Sequence, residues 1–519
     1  MHLTEGLRRA RDGQGDAVAV VFGEQRWTWS QFGDRVARLA SVFRAHGAGA
    51  GDRIAMLGHS SHRYLEYYYA ALWSGGVICP MNTRHSLPEL LYQAADSAPA
   101  VLIVDDAFAH LAEPIRQALP DLKLVLYAGD AAAPAGMLSY EDELARAPTC
   151  VDAERGHDDL ACLFYTGGTT GRAKGVMLSH ANLLASIRSH MTASGPTPPP
   201  ASLHAGPLFH LAAGSRVFST TLTGGRHIVL PAFAPADVLR TIARERVTAA
   251  TFVPTMLAMV MRHPEFDAHD LSSLELISYG ASPMPETLLR EAIRRFPNAR
   301  FAQSYGMTET SPLVARLGPE DHQPDGPTSH RLRSAGRPAP GVEVRIVDAE
   351  DRVLPVGEVG EIIARGPNVM LGYWRKPEQS AAAMRGGWMH TGDAGRFDAD
   401  GYLYVVDRTK DMIISGGENI YSTEVENALL QHPDVAQCAV IAVPHATWGE
   451  AVHAVILPRE GADLDADALI AHCRSLIAGY KCPRSIEFRN DGLPLSSVNK
   501  VDKAKLREPF WNTQGRQVS

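Results

Sequence analysis

Short apolar runs alternate with segments of helical periodicity through the first 160 positions of the chain. Arg53-Ile54-Ala55-Met56-Leu57 reads as a buried strand, and Tyr64 to Trp73 as a helix that Ser74-Gly75-Gly76 stops. Val77 to Met81 is a second strand, Leu87 to Asp96 a second helix and Val101 to Val104 a third strand. Continuous apolar strands alternating with helices predict layers of parallel α/β structure. The rhythm returns after Leu203, with Arg226 to Leu230 as a strand and Pro235 to Glu245 as a helix.

From Gly336 to Asp407 the pattern shifts to strict alternation, as in Val342 to Val347 and Gly360 to Ala364, with turn residues between the runs. That texture predicts a small β-rich, barrel-like subdomain. After Asp411 it becomes α+β: helix over Thr423 to Gln431, strands over Gln437 to Val443 and Val452 to Pro458, helix over Ala466 to Ile477. The expected fold is therefore α/β, with a large N-terminal domain over 1–407 and a small α+β C-terminal domain over 411–519. The boundary falls at 408–410. No internal repeat is evident, and the one low-complexity patch, Pro196 to Pro200, reads as an exposed loop.

Composition narrows the function. A chain of 519 residues exceeds what one compact core supports. A net charge of −8 argues against a nucleic-acid binder, whose binding face is basic. The six cysteines are scattered without a C-x-x-C pair and read as free thiols, not as metal ligands. The polar start shows no apolar leader segment, and no run of eighteen apolar residues predicts a membrane span, so a cytoplasmic location is expected.

The densest chemistry lies in Tyr165-Thr166-Gly167-Gly168-Thr169-Thr170-Gly171-Arg172-Ala173-Lys174-Gly175, directly after the apolar run Leu160 to Phe164. Four glycines, three threonines and two cations stand within eleven residues. Glycines let the backbone approach an anion, hydroxyls and N–H groups bind phosphate oxygens, and cations balance the charge. It is not a Walker A loop, because no Lys-Ser or Lys-Thr follows Gly171.

This segment closely resembles the signature loop of the adenylate-forming superfamily, which includes acyl- and aryl-CoA synthetases, peptide-synthetase adenylation domains and luciferase. Met177-Leu178-Ser179-His180-Ala181-Asn182 continues the resemblance. Five further segments follow in the family's order, so the likeness covers nearly the whole chain. It implies that Thr166, Gly167, Gly168, Thr169, Thr170 and Lys174 hold the ATP phosphates. In Tyr305-Gly306-Met307-Thr308-Glu309-Thr310 it implies that Tyr305 stacks on adenine and Thr308 contacts the α-phosphate. Glu309 would bind Mg²⁺ with Thr170, a role that suits a hard oxygen ligand. Gly280-Ala281-Ser282 resembles the adenine-pocket lining, and Asp393 with Arg408 the ribose clamp. Lys410 matches the family's hinge, and Lys500 the lysine that adenylation requires. Asn499 stands where the family often has glycine, a variant that aryl-CoA ligases also show.

For coenzyme A, Gly416 and Gly417 resemble the loop that shapes the pantetheine tunnel, Trp448 an adenine-stacking tryptophan, and Arg84 and Arg484 phosphate-binding cations, as in 4-chlorobenzoate-CoA-ligase-like enzymes. Cys482 departs from that pattern, standing where a further cation is expected. His210, after Phe209, resembles the gate of the acid pocket, which would also use Tyr279, Gly306 and Met307. These residues are mostly apolar, which suits an aryl or medium-chain acid, and no cation among them is placed for a second carboxylate.

The resemblance thus implies an AMP-forming acid–CoA ligase. ATP and coenzyme A would be its co-substrates, Mg²⁺ its metal, a small carboxylic acid its partner and a homodimer its assembly. One alternative keeps adenylation but passes the acyl group to a carrier-protein thiol, an amine or oxygen. Another is an inactive nucleotide-binding scaffold, against which Lys500, Glu309 and Asp393 argue.

Overall fold

The helix expected after the first strand runs over His62–Ser74 because each end carries a stop signal. The Ser61 hydroxyl accepts the Tyr64 N–H, and Gly75 leaves the helix at φ 90°, a region glycine enters without a Cβ penalty. One aromatic side chain then fastens this helix to two strands: the Tyr67 hydroxyl donates to Ile54 O at 2.8 Å and accepts from Cys79 N at 2.8 Å. The computed structural model describes residues 2–166, 172–194, 198–408, 411–415, 418–495 and 501–511.

Two large sheets form the body. One orders its strands as Gly372–Tyr373, Lys174–Ser179, Leu160–Thr166, Val77–Pro80, Arg53–Leu57, Val101–Val104, Leu124–Tyr127 and Leu138–Ser139. From Leu160–Thr166 onward its neighbours are parallel, as the apolar runs predict, while the edge at Lys174–Ser179 is antiparallel. The other runs from Arg337–Pro338 through Ala315–Leu317, Arg300–Tyr305, Leu276–Gly280, Ala249–Phe252, Ala201–His204 and Arg226–Val229 to Val18–Phe22 and Gln25–Thr28. Its middle is parallel and both edges are antiparallel.

Residues of both sheets share the largest core, among them Val20, Ile54, Ile78 and Val229. The helices Trp29–Ala45, His62–Ser74 and Leu211–Leu222 contribute to it, including Phe32, Tyr68 and Phe218. A second core, with Leu239, Leu257 and Leu289 from the helices Pro235–Glu245, Pro254–Met261 and Glu286–Arg295, covers the other face of the second sheet.

The alternating segment after Gly336 forms a four-stranded antiparallel sheet, Glu343–Val347, Gly360–Arg365, Met389–Phe397 and Leu403–Arg408, in open order. The last hundred residues build a separate sheet from Ile413–Ser415, Glu418–Ile420, Val435–His445, Gly449–Pro458 and Ser485–Phe488. Its core draws only on residues from Ile413 onward, the mark of a unit that packs on itself. Among the described residues, no helix is long and apolar enough to cross a membrane.

Candidate active site

Open α/β sheets bind ligands outside the carboxyl ends of their parallel strands. The strands Leu276–Gly280 and Arg300–Tyr305 end there, and each carries a motif on its exit. Neither Gly280 nor Gly306 has room for a side chain: a Cβ would stand 2.3 Å from Ser304 O at Gly280, and 2.3 Å from Pro312 O at Gly306. Ala281 follows at φ 65°, a left-handed conformation that an L-residue adopts at a cost of about 1–2 kcal/mol. Strain of that kind persists where the surrounding structure enforces it, and it clusters at binding sites.

Beyond Tyr305 the chain closes a short 3₁₀ turn, Thr308–Thr310, fastened by Thr310 Oγ1, which accepts Met307 N at 3.1 Å. The turn buries Glu309, whose Oε1 accepts the Tyr373 hydroxyl at 2.9 Å. Tyr373 donates this bond as a neutral phenol, because burial, and then the charge of Glu309, push its pKa far up. The ring of Tyr373 also lies 4.9 Å from Lys174 Nζ. Tyr373 therefore joins the phosphate-loop lysine to the candidate metal carboxylate.

Thr166 and Lys174 pair across the antiparallel strands that carry the loop. Gly167, Gly168, Thr169 and Thr170 lie outside the described residues. Behind this hairpin, Asp96 accepts the Tyr165 hydroxyl at 2.6 Å, and its carbonyl accepts Trp374 Nε1 at 3.0 Å.

The nucleoside candidates come together. The Tyr305 hydroxyl donates to Asp393 Oδ2 at 2.8 Å. Asp393 in turn pairs with Arg408 across the antiparallel ladder, so the three residues expected at adenine and ribose are neighbours. Ser282 and Thr308 are half-buried near the same strand ends.

On the acid side, His210 occupies the cap position of Leu211–Leu222, with its ring 4.5 Å from that of Phe209. Phe209 and Met307 pack in the first core, whereas Tyr279 lies in the second, with its hydroxyl 2.9 Å from His322 Nε2. Two cations that the sequence reading missed stand close by. Arg216, on the helix that His210 caps, has Nη1 2.8 Å from His190 Nε2, and the buried Arg316 donates from Nη1 to His190 O at 2.8 Å. The signal in the sequence was an arginine set inside an apolar helix with no acid at helical spacing.

In the C-terminal unit, Trp448 stacks on His445 at 4.4 Å and 10°, and Arg484 Cζ lies 4.5 Å from the Trp448 ring centroid. Cys482, where a cation was expected, is buried. Ser415 pairs with Glu418 and also with Gly449, the residue that follows Trp448. Gly416, Gly417, Lys410 and Lys500 themselves lie outside the described residues. Arg84 stands apart on the N-terminal body, exposed after the strand Val77–Pro80.

Asp407, Ser422, Glu426 and Lys503 form a polar bridge, with the first two buried and the others half-buried. Asp407 accepts Ser422 N at 2.5 Å and Ser422 Oγ at 2.7 Å, and Lys503 Nζ donates to Ser422 Oγ at 2.6 Å and pairs with Glu426 at 2.7 Å.

Among the described residues, no three His, Cys, Asp or Glu side chains converge on a metal site. Glu309, one buried carboxylate near a phosphate loop, fits instead a hard cation that takes most of its ligands from phosphate oxygens and water.

Comparison with known proteins agrees with this geometry. A family model described as "AMP-binding enzyme" matches residues 7–374, and its C-terminal domain model matches residues 424–500. A feruloyl-CoA synthase of Amycolatopsis sp is 41% identical over 505 residues, covering 97% of this chain and 98% of the relative. The solved structure of the anthranilate CoA ligase AuaEII in complex with anthranoyl-AMP superposes with a TM-score of 0.90 at 27% identity, covering 99% of this chain and 98% of that one. The amide bond synthetase McbA from Marinactinospora thermotolerans gives a TM-score of 0.87 at 32% identity, covering 98% of this chain and 100% of that one.

Proposed function

Starting from the fact that this chain belongs to the AMP-binding enzyme family, we propose how its own residues divide the reaction and which acid it takes. It is an ATP-dependent carboxylic acid–CoA ligase that works through an acyl-AMP intermediate. The Tyr305–Asp393 hydrogen bond carries the assignment of residues, because it joins the adenine and ribose candidates at the end of a parallel strand.

In the first half-reaction a carboxylate oxygen of the acid attacks the α-phosphorus. The bond to the bridging oxygen breaks, and pyrophosphate leaves. Tyr305 stacks on adenine, Asp393 and Arg408 grip the ribose, Gly280, Ala281 and Ser282 admit the base edge, and Thr308 contacts the α-phosphate. Thr166 to Thr170 and Lys174 hold the outgoing phosphates. Mg²⁺, held by Glu309 and Thr170, would neutralise phosphate charge. Lys500 is the residue assigned to stabilise the charge that develops between carboxylate and α-phosphate.

In the second half-reaction the thiol sulfur of coenzyme A attacks the acyl carbon, the bond to AMP breaks, and the thiol proton passes to solvent. Residues 408–410 form the hinge between the domains 1–407 and 411–519. Rotation about Lys410 withdraws Lys500 and brings in Gly416 and Gly417 with Trp448 and Arg484. The Ser415–Gly449 pairing supports this reading, since it ties the strand before Gly416 to the residue after Trp448. Arg84 meets the CoA phosphates from the N-terminal side, and His210 opens the thiol path.

The acid is aromatic in this reading. Phe209 and Met307 offer apolar surface, and the relatives named for feruloyl and anthranoyl groups take aromatic acids. The test is AMP and pyrophosphate release with benzoates, cinnamates and C4–C12 fatty acids, each with and without coenzyme A. Release that rises with coenzyme A for the aromatic acids supports the reading. Acid-dependent release indifferent to coenzyme A transfers the acceptor role to an amine or carrier thiol, and release confined to fatty acids overturns the aromatic assignment.

A further inference from the structure

Arg316 is the middle residue of Ala315–Leu317 and pairs with Ser304, which pairs in turn with Gly280, so all three share one face of the sheet. Only 5% of its surface is exposed. Its Nη1 is occupied by His190 O, while Nε and Nη2 are buried and have no hydrogen-bond partner among the described residues. Those two nitrogens form the edge of the guanidinium that matches the two oxygens of a carboxylate.

Arg216 adds a second positive charge at the ring of His190, whose carbonyl Arg316 holds. It stands six residues beyond His210, roughly 9 Å along the helix at 1.5 Å per residue. Among the described residues, the groups around the pair do not compensate it. His190 and His204 stay neutral: burial, then Arg216, push His190 well down and His204 down to about 4. Arg216 and Arg316 are both drawn down to about 10, Arg216 by burial and then by Arg316, and Arg316 by burial above all. The carboxylate that Arg316 feels belongs to Glu320, which is exposed. A buried and a half-buried cation with no counter-ion among the described residues are costly, and the cost is offset where a ligand supplies the anion.

We infer that Arg316 and Arg216 form the far wall of the acid site and bind a second carboxylate, so that the substrates are dicarboxylic acids whose carboxyl groups lie about one arene's length apart. This rests on the ligase reading and deepens it by naming the substrate class. A neutral substituent such as a phenol would fill hydrogen-bonding positions but leave both charges unmatched. A carboxylate takes the open Nε–Nη2 edge of Arg316 with both oxygens and sits beside Arg216. No cation stands among the pocket residues inferred from sequence; in this proposal the cations come instead from a helix and a strand far apart in the chain.

The test compares paired acids in the full-length enzyme with ATP, Mg²⁺ and coenzyme A, reading kcat/KM from AMP release. The pairs are cinnamic against 4-carboxycinnamic acid, and octanoic against octanedioic acid. The diacid of at least one pair is expected to be preferred by about 100-fold, as for a site whose buried polar groups go unpaired with the analogue. Arg316→Met should bring that ratio to one or below, and Arg316→Lys, which keeps charge but loses the fork, to an intermediate value. Equal rates within both pairs, or preference for the monoacids, overturn the inference and leave the ligase reading intact. No AMP release with any acid, the benzoate and fatty-acid panel included, overturns both. The wild-type comparison decides without any variant having to fold.

Discussion

The hydroxyl of Tyr373 donates to the carboxylate of Glu309 at 2.9 Å, across 64 residues of sequence. Tyr373 belongs to the short strand that pairs with Val176, just after the phosphate loop. The bond therefore fixes the candidate metal carboxylate relative to the strand that follows the glycine-rich loop. Tyr373→Phe removes one hydrogen bond to a charged group, worth about 1.5–3 kcal/mol. We expect acid-dependent ATP–pyrophosphate exchange to fall by roughly 10- to 100-fold, with the Mg²⁺ concentration for half-maximal rate raised. Unchanged Mg²⁺ dependence would show that Tyr373 only packs.

Tyr305 and Asp393 should act as one unit, since each holds the other in place. Tyr305→Phe and Asp393→Asn are each expected to raise the KM for ATP. In the double variant the loss should fall short of the sum by about 0.5–3 kcal/mol, the range for contacting residues. Strict additivity in a double-mutant cycle would mean that the pair is not coupled in the nucleotide complex.

The roles proposed for Lys410 and Lys500 predict opposite defects. Lys500→Ala should abolish adenylation yet spare thioester formation from supplied acyl-AMP. Lys410→Pro, which restricts backbone rotation, should spare adenylation and block the thioester step. Equal loss of both half-reactions in Lys500→Ala, or full turnover in Lys410→Pro, contradicts the alternating use of one site.

Stability should depend on acid pH through buried histidines. Burial holds His180, His204 and His322 at about 4 and His62 at about 3. Their folded pKa values lie below the ordinary 6.5, so the unfolded chain binds the protons. The stability tied to their neutral form is complete above pH 6.5 and is lost as pH falls toward 4. Calorimetric melting temperatures should be level just above neutrality and drop steeply across that interval. A flat profile through it would contradict the burial of neutral imidazoles.

Gly306 tests the close approach at the end of its strand. With a Cβ placed 2.3 Å from Pro312 O, Gly306→Ala must displace backbone, at a cost of about 1–3 kcal/mol. A lowered melting temperature together with weakened ATP binding is expected. A variant with wild-type stability would show that the turn yields freely.

Local pattern carried much of the fold. Arg53–Leu57, Val101–Val104 and Pro235–Glu245 stand where the apolar periodicity placed them, because burial on two faces or on one helical stripe leaves a direct trace in sequence. The antiparallel edges of the large sheets left no such trace, since Ala315–Leu317 and Gly372–Tyr373 are too short to show a period. At the site, contiguous motifs were legible and convergence was not. Tyr305 and Asp393 were each visible, but their contact depends on how two sheets meet. Arg216, Arg316 and Tyr373 carried no motif at all, and tertiary packing alone gives them their partners.

The central claim is that one site makes an acyl-AMP and then hands its acyl group to a thiol. The direct measurement is a single-turnover experiment with stoichiometric ATP and the best acid of the panel, first without coenzyme A and then with a chase of it, read by chromatography and mass. The account predicts enzyme-bound acyl-AMP and one equivalent of pyrophosphate before the chase, and acyl-CoA with AMP after it. Acyl-AMP that persists through the chase, or acyl-CoA formed with ADP and phosphate instead of AMP and pyrophosphate, would contradict it.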